Sequence, residues 1–226
     1  IKRRTYKANP QKDTPPDRND AGRTEYALRI WQDSIPMPNT LAETYIQSRG
    51  LHLTLTSALR FHGRLKHPSG GLWPAMVALV SRGPDDAPLA IHRTFLAHDG
   101  SGKAPVDPQK MMLGPCRGGA VRLGEPADLL MVGEGIETCL AAMQTTGNPA
   151  WAALSTSGLK ALNLPETARE VIVLADGDDA GEAAARDCAL RWQREGRRVR
   201  IARPPRGQDF NDMLAGLATQ TGEGRK

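Results

Sequence analysis

Apolar and polar positions alternate with two different rhythms along this chain. From Glu25 to Ile35, and again from Asn39 to Ser48, apolar residues recur at helical spacing, and Gly50 follows where a helix C-cap is expected. Two short helices are therefore predicted to open the first stretch. Trp73 to Ser81 and Leu89 to Ala97 are rich in Val, Ile, Phe and Met and flank the turn-forming Gly83-Pro84-Asp85-Asp86, so they read as a β-hairpin. A second turn, Asp99-Gly100-Ser101-Gly102, follows. From Lys103 to Gly124 the chain is rich in Gly and Pro with scattered Lys and Arg, and closes on a short strand around Ala120 to Leu123. Beyond Ala127 strands and helices alternate. Strands are predicted at Leu129 to Val132, Ala150 to Leu154, Val171 to Ala175 and Val199 to Ala202. Between and after them come helices at Ile136 to Gln144, Gly158 to Leu162, Asp179 to Glu195 and Phe210 to Leu217. This succession argues for an α/β fold, a parallel sheet flanked by helices over residues 126–226, preceded by a small α+β module over 21–125. Residues 1–20 read as a flexible basic arm.

A chain of 226 residues can bury a sizeable core without disulfides. Its 39% of hydrophobic residues together with 23 glycines is an ordinary globular share, which argues against wholesale disorder. The longest apolar stretches, Pro74 to Val80 and Val171 to Ala175, fall far short of the roughly 18 residues that span a bilayer, and no signal-peptide pattern opens the chain. The expectation is a cytoplasmic protein with no membrane partner. Cys116, Cys139 and Cys188 are far apart and form no CxxC, so each reads as a small apolar residue rather than a disulfide or zinc ligand. The start at Ile1 suggests a piece of a longer protein.

Charge changes the picture through its distribution. The 30 Lys and Arg exceed the 25 Asp and Glu by five. Seven basic residues fall between Lys2 and Arg23, and eight arginines between Arg186 and Arg206. Such clustering suits a polyanionic partner, since each neutralised phosphate releases condensed counterions.

Ligands of open α/β sheets bind beyond the carboxyl ends of the strands, and here three of those ends are acidic. Gly133-Glu134-Gly135 follows the first predicted strand of the sheet, Asp176-Gly177-Asp178-Asp179 the third, and Gly207-Gln208-Asp209 leads into the last helix. Glu134, Asp176, Asp178 and Asp209 would converge on one edge, where like charges repel unless a cation lies between them. All-oxygen ligands of this kind suit Mg²⁺ or Mn²⁺. Asp178 and Glu134 also fit a plainer role as helix N-terminal residues, with Asp179 and Glu182 complementing a helix dipole.

The succession Gly-Glu-Gly, Asp-Gly-Asp-x-Ala-Gly and Gly-Gln-Asp resembles the Toprim domain of bacterial-type primases, topoisomerases and certain nucleases. It is most similar to primases of phages, plasmids and integrated mobile elements. The resemblance covers Ala127 to Leu217. It implies Glu134 as general acid/base, Asp176 and Asp178 as metal ligands alongside it, and Asp209 at a further metal position. Bacterial primases usually carry an aspartate where Thr138 stands, and an acid where Asn211 stands, so Glu137 and Asp212 are candidate substitutes. The first module resembles the subdomain that precedes Toprim in such primases, which implies Arg93, Lys103 and Lys110 as contacts for template or nucleotide.

The function so implied is RNA primer synthesis, a metal-dependent nucleotidyl transfer. Single-stranded DNA would be the template, ribonucleoside triphosphates the substrates, and a replicative helicase a partner. The arginines of 186–206 would track template phosphates. A Toprim nuclease uses the same carboxylates with water as nucleophile, and a catalytically silent module that binds single strands or recruits a helicase is the rival from another class.

Overall fold

The computed structural model of the protein describes residues 18–54, 56–83, 85–204 and 210. The chain opens with helix α1 (Arg18–Asp33), a two-residue strand β1 (Ile35–Pro36) and helix α2 (Leu41–Ser48). Ala42, Tyr45 and Ile46 of α2 are buried, the spacing of one helical face. Gly50 adopts φ 75° just past this helix, the left-handed ending that glycine accepts without steric cost. Strands β2 (Leu59–Lys66), β3 (Leu72–Arg82), β4 (Ala87–Phe95) and β5 (Lys110–Leu113) follow. With β1 they form one antiparallel sheet in the order β1-β2-β3-β4-β5.

The predicted hairpin is β3 and β4. The chain differs from the sequence expectation on either side of it. Strand β2 was not predicted, because Leu-Arg-Phe-His-Gly-Arg-Leu-Lys is too polar to signal a strand, and β5 lies in the stretch read as irregular. Both form because β3 and β4 offer free ladder groups, a case of pairing overriding local preference. Helix α1 likewise begins seven residues before Glu25, so Arg18, Asn19 and Asp20 belong to it. The rest of the predicted arm lies outside the described residues.

The second sheet collects β6 (Val121–Arg122), β7 (Leu129–Gly133), β8 (Ala150–Ala152), β9 (Glu170–Leu174) and β10 (Arg198–Ala202) in the order β10-β9-β7-β8-β6. Four strands are parallel, as expected, but β6 runs antiparallel at the edge beside β8. The strand expected to close the first module thus joins the second sheet, and Ala120 bridges it back to Ser81 in β3. Helices α3 (Ile136–Thr146), α4 (Thr156–Ala161) and α5 (Asp179–Arg194) connect the parallel strands.

Three apolar clusters hold these layers. Ala27 and Ile30 of α1 pack on Ala75, Val77, Ile91 and Phe95, covering one face of the antiparallel sheet. Leu159 of α4 and Ala184, Cys188 and Trp192 of α5 cover one face of the parallel sheet. The largest cluster lies between the sheets and draws on both. It joins Tyr45 and Ile46 of α2, Met76, Ala78 and Ala90 of the first sheet, Ile136 and Leu140 of α3, and Met131 and Leu174 of the second. No described helix is long and apolar enough to cross a membrane.

Candidate active site

Strands β7 and β9 are neighbours, with Gly133 opposite Leu174. From β7 the chain passes to β8 on one side, whereas β9 is laid down on the other, so the path reverses between these two strands. A crevice opens at such a reversal, outside the carboxyl ends of the strands. Glu134 stands immediately beyond β7, Asp176 just beyond β9, and Asp178 at the N-cap of α5.

The structure brings these three carboxylates into one electrostatic unit. Glu134 is half-buried, and its Oε1 is shut off from solvent with no hydrogen-bond partner. Burial, then the charges of Asp176 and Asp178, push its carboxyl up to about 7. Asp178 Oδ1 accepts the Gly181 N–H at 2.7 Å, so this residue is a helix cap as well as a member of the acidic group. A Cβ on Gly181 would lie 3.0 Å from both the Cβ and the carbonyl oxygen of Asp176, which explains the glycine at that position. On the other flank the Leu154 N–H donates to the Glu134 carbonyl at 2.9 Å, from a residue at φ 69°. That left-handed turn costs a non-glycine residue about 1–2 kcal/mol and fixes the loop carrying Glu134.

Among the described residues no three His, Cys, Asp or Glu side chains stand close enough to ligate one ion together. The donors present are all oxygen, and Glu134 Oε1 is an orphaned acceptor. This fits Mg²⁺ or Mn²⁺ held by one or two carboxylates, with substrate phosphate and water completing the shell. Asp209, Asn211 and Asp212 lie outside the described residues.

Glu137 has a different environment. It is buried in the first turn of α3, where Oε1 accepts from Tyr45 Oη at 2.8 Å and Oε2 from Lys110 Nζ at 2.9 Å. Burial alone would raise its carboxyl. Lys110 and the hydrogen bonds from Lys110 and Tyr45 outweigh that and hold it at about 2. Tyr45 is in turn pushed up by burial and by Glu137. A cleft of about 270 Å³ opens beside this cluster. Arg49, Lys103 and Lys110 bring positive charge to it, facing Gly135, Thr138 and Asp176.

The implied template contacts do not all meet there. Successive residues of β4 point to opposite faces. Ile91 and Phe95 face α1, and Arg93 lies with them, its Nη2 donating to the Met112 carbonyl at 3.3 Å and its guanidinium 5.9 Å from the Phe95 ring. His92 occupies the other face, near Lys110 and Glu137. Burial, with the charge of Lys110, lowers its imidazole to about 4 and leaves it neutral. Sequence reasoning missed Tyr45 and Arg49. Tyr45 read as one more apolar position of a helix, and only tertiary contact shows its hydroxyl at work.

Six of the eight arginines of 186–206 are engaged by the fold, and Arg206 lies outside the described residues. Arg197 donates to the carbonyls of Leu164, Pro165 and Ala168, and Arg191 to those of Lys160 and Leu162. Arg198 and Arg200 pair with Glu170, while Arg186 and Arg203 pair with Glu182. Trp151 is buried beneath Arg122, whose guanidinium lies 4.4 Å from its ring.

Residues 129–218 match the family model described as Toprim domain. The second half of this chain is thus similar to Toprim domains. Residues 21–123 match a Domain of unknown function (DUF7146). No curated protein matches the sequence. Among solved structures, the chain is similar to a DNA primase domain from Pseudomonas aeruginosa, at 17% identity and a TM-score of 0.55, over 90% of this chain and 78% of that one. A structure described as the DnaG catalytic core gives 19% identity and a TM-score of 0.56, over 91% and 78%. The zinc-binding and RNA polymerase domains of the Aquifex aeolicus primase give 15% and 0.53, over 96% of this chain and 62% of that one. The Toprim half and the antiparallel sheet before it therefore share the fold of bacterial primase cores. Glu134, Asp176 and Asp178 all lie within the matched residues.

Proposed function

We propose that this protein is a metal-dependent nucleotidyltransferase of the primase type, joining ribonucleotides on a single-stranded DNA template. The observation that carries this reading is the grouping of Glu134, Asp176 and Asp178 at the β7/β9 crevice, beside a cleft that Asp176 lines together with Arg49, Lys103 and Lys110. A cleft that gathers Asp176 with Arg49, Lys103 and Lys110 suits a triphosphate, whose phosphates are shared between a cation and fixed positive side chains. When bound, a divalent cation would supply Lewis acidity toward the phosphoryl oxygens. One or two of Glu134, Asp176 and Asp178 would hold it, with substrate phosphate and water completing the shell.

The remaining steps belong to the chain. A ribose hydroxyl attacks the α-phosphorus of the incoming triphosphate, the bond from that phosphorus to the bridging oxygen breaks, and pyrophosphate leaves. Glu134, just beyond the end of β7, takes the hydroxyl proton. Lys103, Lys110 and Arg49 orient the phosphates and offset the charge that builds on the leaving group. We infer a two-part organisation, with the module before residue 126 shaping the basic wall and the Toprim half supplying the acids. Replication of a phage or mobile element, in company with a helicase, is the setting that this chemistry suits.

The test is incorporation of labelled ribonucleotides on a mixed-sequence single-stranded template with Mg²⁺ or Mn²⁺, beside the Asp176→Ala/Asp178→Ala double variant. Short products from the wild type, lost by at least a hundredfold in the variant, are expected. Undiminished synthesis in the variant overturns the assignment. Degradation of the single strand without nucleotides would move the same carboxylates to hydrolysis.

A further inference from the structure

Glu137 stands three positions from Glu134, yet its carboxylate is committed elsewhere. One oxygen accepts from Tyr45 of α2 and the other from Lys110 of β5, so a Toprim helix is tied to two elements of the preceding module. Glu137 is 6% exposed and Tyr45 1%, whereas the Lys110 side chain keeps 37% of its surface open. Lys110 is the more exposed member of the pair, and both residues line the cleft that Asp176 also lines. Lysine is a flexible four-carbon stem with a mobile point charge. Held from behind by a buried carboxylate, that charge has one place to be.

We propose that Glu137 is a positioning residue, whose buried carboxylate aims the Lys110 ammonium into the cleft to receive a phosphate group of the nucleotide. This deepens the reading of the site as a triphosphate site and rests on it. The Glu137 carboxylate takes one of the three donors of Lys110, a residue that lines the cleft, and leaves donors for a phosphate. His92 is buried close by and neutral, so it adds no competing charge. Tyr45 anchors Glu137 from the far side without itself lining the cleft. In this arrangement Glu137 faces a lysine rather than a metal ion, and its role differs from that of Glu134.

Binding of ATP with Mg²⁺, followed by isothermal titration on the full chain, tests the assignment with four variants and a thermal melt of each. Lys110→Met removes the ammonium and is expected to weaken ATP binding about tenfold. Glu137→Gln keeps the shape and a hydrogen-bonding partner for Tyr45 but frees the lysine, and a loss of about fivefold is expected. Combining Lys110→Met with Glu137→Gln should bind like Lys110→Met alone, since Glu137 acts through that lysine. Tyr45→Phe should lower the melting temperature while leaving the dissociation constant within twofold. If Glu137→Gln lowers the melting temperature but leaves ATP affinity as in the wild type, Glu137 is a structural strut and the proposal fails while the triphosphate reading stands. Additive losses in the Lys110/Glu137 double variant overturn it as well. Absence of ATP binding by the wild type removes both together.

Discussion

The chemistry of this protein concentrates in two glutamates three positions apart that have opposite fates. Glu134 is half-buried without a hydrogen-bond partner among like charges, and its carboxyl is raised to about 7. Glu137 is fully buried with two donors, and its carboxyl is held at about 2. Nothing in the tetrapeptide Glu-Gly-Ile-Glu separates them. Position beyond a strand pointed to Glu134, while the partners of Glu137 lie 27 and 92 residues away and have no local signature. The pH dependence of stability follows from the raised group. Its folded-state value lies above the ordinary 4.5, so the fold favours the protonated form, and stability is lost as pH rises from about 4.5 through about 7. Discounted for the exposed half of the side chain, the loss is on the order of 1 kcal/mol. Urea unfolding of Glu134→Gln between pH 5 and 8 should show that part of the decline removed, and 5 mM Mg²⁺ should recover it in the wild type only, about 5 mM being a saturating choice for a weak site. Parallel pH profiles for the two proteins would contradict the environment assigned to Glu134.

Elements carry double duty where they meet the crevice. Asp178 caps α5 through Gly181 and also contributes charge beside Glu134. These roles separate by substitution. Asp178→Asn keeps a good N-cap and loses the charge, whereas Asp178→Ala loses both. The alanine variant should unfold about 1 kcal/mol more easily and the asparagine variant within a few tenths of wild type. Nucleotidyl transfer should fall in both. An asparagine variant as active as wild type would leave Asp178 with its capping role alone. The elements themselves were legible where burial on both faces produced long apolar runs, as in β3, β4, β7 and β9. Strand β2, alternating basic and apolar residues around Gly63, was not, because its reason for being extended is the neighbouring β3. The same holds for β6, two residues whose partner is β8 rather than the hairpin that precedes them in sequence.

At the scale of the whole molecule, the two sheets share one apolar core. The largest apolar cluster takes Tyr45, Met76 and Ala90 from the first module and Met131, Ile136 and Leu174 from the Toprim half, and the Tyr45–Glu137–Lys110 contacts cross the same boundary. Neither half can be removed without exposing that surface to water. A single cooperative thermal transition is therefore expected for the full chain by calorimetry, and Met76→Ala, in the shared core, should destabilise it by about 2–4 kcal/mol. Two separate transitions, with Met76→Ala shifting only one, would show the modules to be independent.

The sequence by itself determined the α/β succession, the placing of glycine-flanked acids at strand ends and the Toprim character of the second half. Those features are local, arising from residue periodicity and from what a strand end must present. Tertiary structure alone decided that the path reverses between β7 and β9, that Arg93 turns to α1 while Lys110 turns to the cleft, and that Glu137 is a partner of lysine. Each depends on which strand lies beside which and on which face is buried, and one residue of register separates a side chain in the cleft from one packed against a helix.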